Sequence, residues 1–221
     1  LITDIETALV ARLQAGLGKM VREVASYAGE LDDDVGRIVS VFPAIWVTFG
    51  GITKTEPSGT SHQKYKTHGR FVVVVGDYNP RSEASTRQGG VNKNEVGSNL
   101  LVQSVRRLLI GQDLGLAVKE FMPGRVKTLF NTATRDRGYS VYACEFDTYW
   151  MENALENGKW PLRTDDPNDQ DAPFNTYHGR LSDPDPDLTS IGTRYHQPGT
   201  DTSADVLGNI KLGEQDDNAT G

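Results

Sequence analysis

Tyr139-Ser140-Val141-Tyr142-Ala143-Cys144-Glu145-Phe146 closes a segment that runs from Gly111-Gln112-Asp113-Leu114-Gly115-Leu116 through Phe121-Met122-Pro123-Gly124-Arg125-Val126. The segment reads as the end of a helix, a Pro-Gly turn and two strands. In the last strand Tyr142, Cys144, Phe146, Thr148 and Trp150 alternate with Val141, Ala143, Glu145, Asp147 and Tyr149. Successive side chains of a strand point to opposite faces, so the first set predicts a core face and the second a face carrying two carboxylates. Residues 125–130 and 138–151 then pair as a hairpin around the polar residues 131–137. Cys144 is the single cysteine; it falls on the core side and reads as a small buried residue, with nothing to indicate an oxidising compartment. No residue of the segment is placed for catalysis.

Working outward, residues 97–110 place Leu101, Val105 and Leu108 on one helical stripe, with Arg106 and Arg107 off it and Gly111 as the stop. Residues 69–78 contain Phe71-Val72-Val73-Val74-Val75, apolar on both faces, which predicts a central strand covered on each side. Residues 39–49 are rich in β-branched and aromatic types and predict another strand, with Pro43 tolerated at a bulge or edge. The polar residues 54–66 turn the chain back. Residues 79–94, with Pro80, Gly89 and Gly90, read as a long loop. Residues 21–27 form a short strand that leads into a turn at Asp32, Asp33 and Asp34. At the start, Thr3 and Glu6 fit a capping box, and Ile5, Leu9, Val10 and Leu13 recur at helical spacing until Gly16 and Gly18, which predicts a helix over 3–15. The sum is an α+β domain over 1–159: a mixed, mainly antiparallel sheet of about five strands with two packed helices.

The charge is divided as sharply as the pattern. Residues 1–159 carry 19 Lys and Arg against 18 Asp and Glu, a net of +1, while residues 160–221 carry 4 against 12, a net of −8; together they give the −7 of the whole chain. The low pI therefore belongs to the C-terminal part. There periodicity vanishes, and stretches such as Asp183-Pro184-Asp185-Pro186-Asp187 offer too little apolar surface to offset ordering entropy. The scattered Phe174, Tyr177, Leu181, Ile191, Tyr195, Val206, Leu207, Ile210 and Leu212 nevertheless predict an extended arm, over 160–221, that orders against a partner. No apolar run approaches the roughly 18 residues of a membrane-spanning helix, and no secretion signal is expected.

Sites for chemistry are missing from the pattern. There is no phosphate-cradling G-x-x-x-x-G-K-[ST] or G-x-G-x-x-G run, and no nucleophile elbow. His62 and His68 lie in a polar connection, far in sequence from His178 and His196, and none has zinc-site spacing. Asp183, Asp185 and Asp187 begin like a calcium loop, but Leu188 stands at the glycine position and Arg194 at the glutamate position. Arg106, Arg107, Arg135, Arg137, Lys64, Lys66 and Arg70 are too interrupted by acids to form a nucleic-acid stripe. The reading assigns no catalytic residue, no cofactor and no metal.

Several short pieces carry a resemblance instead: Ile2-Thr3-Asp4-Ile5-Glu6, Ser26-Tyr27-Ala28-Gly29-Glu30, Phe42-Pro43-Ala44-Ile45-Trp46-Val47 with Phe49-Gly50-Gly51, Leu108-Leu109-Ile110-Gly111-Gln112, and Pro123-Gly124-Arg125-Val126 with the final strand. In this order, over residues 2 to 151, the chain resembles Mu-like phage tail proteins associated with the tail terminator role. That resemblance implies a homohexameric ring that caps the tail tube at its head-proximal end. Its partners would be copies of itself, the tail tube protein, a neck or head-completion protein and, in a contractile tail, the sheath protein. DNA would pass through the lumen, no membrane would be involved, and assembly would take place in the host cytoplasm.

Under that reading the candidate interface residues fall into groups. Pro43, Trp46 and Phe49, and Tyr139, Val141 and Tyr149, belong to strand edges in 39–49 and 139–150. Arg106 and Arg107 lie on the second helix, and Glu145 and Asp147 would face a lumen. Phe174, Tyr177 and Tyr195 would anchor the arm. The rival within the virion is a head-completion or neck connector. A hydrolase would need a pocket with converging polar groups, and a DNA-binding module would need salt-sensitive affinity.

Overall fold

The computed structural model describes residues 1–29, 41–79, 87, 96–134, 137–182, 190–195 and 206–211. The Asp32–34 turn, most of the 79–94 loop, the Asp183–187 stretch, Arg135, His196 and Leu212 lie outside the described residues. The chain divides into two compact units, Leu1–Ala154 and Leu155–Gly221.

In the first unit α1 (Ile2–Leu17) and a 3-10 turn (Gly18–Met20) precede β1 (Glu23–Ser26), β2 (Ala44–Pro57), β3 (Lys64–Asn79), α2 (Ser98–Leu109), β4 (Met122–Thr134) and β5 (Arg137–Asn153). The strands make one sheet in the order β1-β2-β3-β5-β4. β1 runs parallel to β2 and every other neighbour is antiparallel, so the unit is the α+β fold with a mixed, mainly antiparallel sheet that the pattern indicates. β3 is the middle strand. Its run of valines is covered on both faces because one set of side chains meets the helices and the other meets the chain before β2.

Two clusters fill these faces. On the helical side Phe71, Val73 and Val75 of β3 join Ile5, Leu9, Leu13 and Leu17 of α1 and Leu101, Val105 and Leu109 of α2. The four-residue spacing in each helix keeps these side chains on one stripe. Phe121 closes this core from the connection after α2, edge-on to Phe71 with ring centroids 6.0 Å apart. On the other face Val74 of β3 packs with Phe42, Ala44, Trp46 and Val141.

Several local expectations are corrected. Thr3 does not cap α1: the N-cap is Leu1, without a side-chain bond, and Glu6 instead accepts a hydrogen bond from Ser26 Oγ, tying the helix to β1. Gly16 lies inside the helix, and Gly18 ends it with φ +50°. Leu109 rather than Leu108 is the fully buried residue at the end of α2. Pro43 precedes β2 after a cis Phe42-Pro43 bond, its carbonyl accepting the Arg22 N–H at 2.8 Å. β2 begins at Ala44 and runs on to Pro57, so the reversal into β3 takes only the residues between Pro57 and Lys64. Cross-strand pairs such as Glu56 with Lys66 hold these polar residues in the ladder. Pro123-Gly124 is a bulge within edge strand β4, not a turn. There the missing proline N–H costs little.

The second unit, read from sequence as lacking periodic structure, contains a short helix α3 (Ala172–Thr176) and a hairpin of β6 (Ser190–Tyr195) with β7 (Val206–Lys211). Most of its described residues are exposed. Arg180 stacks over the Trp160 ring, 4.6 Å from its centroid.

Candidate functional site

The sheet face away from the helices changes character along its length. At one end it is the small apolar cluster around Trp46; at the other, register sets charged and aromatic side chains side by side. Arg70 of β3 stands opposite Asp147 of β5. It donates from Nε to Asp147 Oδ1 at 2.7 Å and from Nη2 to Oδ2 at 3.0 Å, a bidentate fork, and its Nη1 lies 2.8 Å from Glu145 Oε2. Lys127 Nζ of β4 reaches the other Glu145 oxygen at 2.6 Å. Asp147 holds the Arg70 guanidinium above its usual pKa, burial pulling the other way.

Next along the face, His68 lies opposite Tyr149 with ring centroids 5.4 Å apart, and Lys66 Nζ sits 4.3 Å from the Tyr149 centroid. Glu56, held below the ordinary carboxylate range first by Lys54 and then by His68, completes the row. His68 is thus a strand residue packed on a ring, not the exposed loop histidine that the sequence suggested.

Glu145 and Asp147, the candidates for a lumen wall, are therefore paired within the chain: Glu145 is only 5% exposed, and the two acids face the two bases Arg70 and Lys127. Cys144, one residue away on the core side, has its thiol pushed up to about 11 by burial, with Arg106 pulling slightly the other way. It is a packing residue.

The other candidates separate by burial. Trp46 is fully buried with its Nε1 unpaired, Val141 belongs to the same cluster, and Phe49 packs on Phe71 with centroids 5.3 Å apart. These three support the sheet and present little surface. Arg106 is half-buried, while Arg107 is exposed beside a hollow of about 320 Å³ that it shares with Gly16, Met20 and Leu108. Tyr139 is placed by register between Tyr78 and Thr132. In the second unit Phe174, Tyr177 and Tyr195 are 45%, 82% and 62% exposed.

The expected edges are corrected too. β5 lies between β3 and β4, so residues 139–147 have strands on both sides and the Tyr149 carbonyl accepts the Lys119 N–H at 2.8 Å, while the first four residues of β2 are covered by β1. Among the described residues the unpaired edges belong to β4 on one side, and to β1 with the later part of β2 on the other. Pattern alone missed this because strand order follows no local signal. It also missed Met122, Val126 and Leu129, 50%, 41% and 41% exposed along β4, which look like core residues in sequence.

The first unit is thus a sheet with helices on one face and two unlike edges, and among the described residues no cluster of His, Cys, Asp or Glu could hold a metal. The chain belongs to the family described as Bacteriophage Mu, Gp37, which matches residues 1–151, and it is a structural protein of Mu-like phage. No curated protein matches it. Among the described residues no helix is long and apolar enough to cross a membrane.

Proposed function

We propose that the chain is a tail terminator: six copies close into a ring that caps the tail tube at its head-proximal end and joins it to the neck. The observation that carries this reading is the pair of unlike sheet edges in the first unit. β4 is long, basic and partly apolar, whereas β1 is four residues long and carries Glu23. Unlike surfaces favour head-to-tail contacts, which close into a ring when the rotation between copies allows it. Family membership supports the phage assignment, and the number six comes from the resemblance to tail terminators. The reading gives the protein no bond to make or break. It places the protein in the virion, with tube and neck proteins as partners above and below the ring and the sheath beside it in a contractile tail.

Solution mass and imaging test this. The chain, alone or mixed with tail tube protein, is expected to form a ring-sized species, and particles lacking it should show overlong or headless tails. A chain that stays monomeric in both settings overturns the reading. Filled heads that leak DNA would move it to the neck, as a head-completion protein.

A further inference from the structure

The β6–β7 hairpin is a sheet of only two strands, and such a hairpin is marginal in water unless a third strand or a packed face supports it. Its register puts Ile191 opposite Ile210, with Tyr195 on the same face. All three are open to solvent, at 42%, 55% and 62%. The opposite face is more polar, with Ser190 facing Lys211, Gly192 facing Asn209 and Arg194 facing Leu207. An amphipathic hairpin with a bare apolar face is built to be covered.

We infer that this hairpin docks on the β4 edge of a second copy of the chain, adding strands to its five-stranded sheet. Three observations choose that edge. β4 carries exposed Arg125 and no acid, with Lys127 beside it half-exposed even though it pairs with Glu145, which complements an arm of net charge −8; the hairpin's own Arg194 and Lys211 are outnumbered by Asp183, Asp185 and Asp187 before β6 and Glu214, Asp216 and Asp217 after β7. The other edge carries Glu23 on β1 and a balanced Lys54 and Glu56 on β2. Bulges at Pro123/Val126 and Thr128/Phe130 leave residues 130–134 of β4 in unbroken register, close to the six-residue length of β6 and β7. Exposed Leu129 and Val126 lie beside that stretch to meet the apolar face of the hairpin. Strand addition of this kind takes its affinity from main-chain hydrogen bonds and its selectivity from alternate side chains. An arm on one copy and an edge on the next make a head-to-tail link, so the inference shares with the ring reading the premise that copies associate.

Thiol cross-linking of full-length chains tests it. Leu129→Cys copies are mixed with Ile191→Cys copies of different mass and treated with a short bis-maleimide, alone and with tail tube protein; native Cys144 is buried and stays silent. The expected result is a mixed Leu129→Cys to Ile191→Cys product in several-fold excess over like-with-like products. A double variant that cross-links only within one chain overturns the inference. In parallel, the Ile191→Asp/Ile210→Asp chain, altered only at exposed positions, should associate at least tenfold more weakly. Chains that assemble without the mixed product, and with the Asp variant unaffected, overturn the docking and leave the ring standing. Chains that never assemble overturn both.

Discussion

Gly69 and Gly76 let β3 accept an aromatic ring on each face. A Cβ at Gly76 would fall 2.2 Å from Phe42 Cε1, and one at Gly69 would fall 2.4 Å from Trp150 Cζ3. Both rings are 3% exposed and have no room to withdraw. Gly76→Ala and Gly69→Ala are each expected to destabilise the protein by about 1–3 kcal/mol through overpacking, read as a lower urea midpoint at unchanged slope. Cys144 offers a test of a different kind. Burial raises its thiol from 9.0 to about 11 in the folded chain. The unfolded state therefore loses its proton first, and the stability held by the neutral thiol is complete below about pH 9 and drains away as pH climbs toward 11. Urea unfolding across that window should show a steeper decline for the native chain than for Cys144→Ala. Equal slopes would mean that the thiol is not in the core.

At the scale of elements, α1 is held by its stripe and not by a cap. Leu9 is fully buried against β-sheet residues such as Val73, so Leu9→Ala should cost about 2–5 kcal/mol. Thr3 makes no capping bond, and Thr3→Ala should stay within about 0.5 kcal/mol; a larger loss in chemical denaturation would restore the capping box. The contrast marks what the sequence could tell. The stripes of both helices and the double-sided strand at Phe71–Val75 were legible because their periodicity is local and strong. The alternation in β5 likewise separated Cys144 and Phe146 from Glu145 and Asp147. Register was not legible: nothing in the sequence says that Arg70 stands opposite Asp147, so the carboxylates looked unpaired. Strand order was equally hidden, which is why β5 looked like an edge and the open flank of β4 went unnoticed. Strand ends shifted because polar residues in 54–57 and 131–134 read as turn, yet they pair across hairpins whose bonds are main-chain.

For the whole molecule the question is whether the two units stand or fall together. Every member of both buried clusters comes from residues up to Trp150, and these clusters supply most of the burial on which folding free energy depends. The second unit has a short helix, a two-stranded hairpin and largely exposed side chains, so it adds little to that core. A chain ending at Ala154 is therefore expected to fold, with its two tryptophans, Trp46 and Trp150, shielded from a soluble fluorescence quencher as their burial requires. Its melting temperature should move by no more than about 2–4 °C, the shift that 1 kcal/mol brings in a domain of this size. The same truncation removes the acidic arm and its hairpin, so it should assemble poorly at concentrations where the full chain associates. Retained folding with lost association would assign the first unit to architecture and the second to linkage between copies. A truncated chain that melts far below the full chain would instead mean that the arm completes the core, and the division of labour between the units would have to be abandoned.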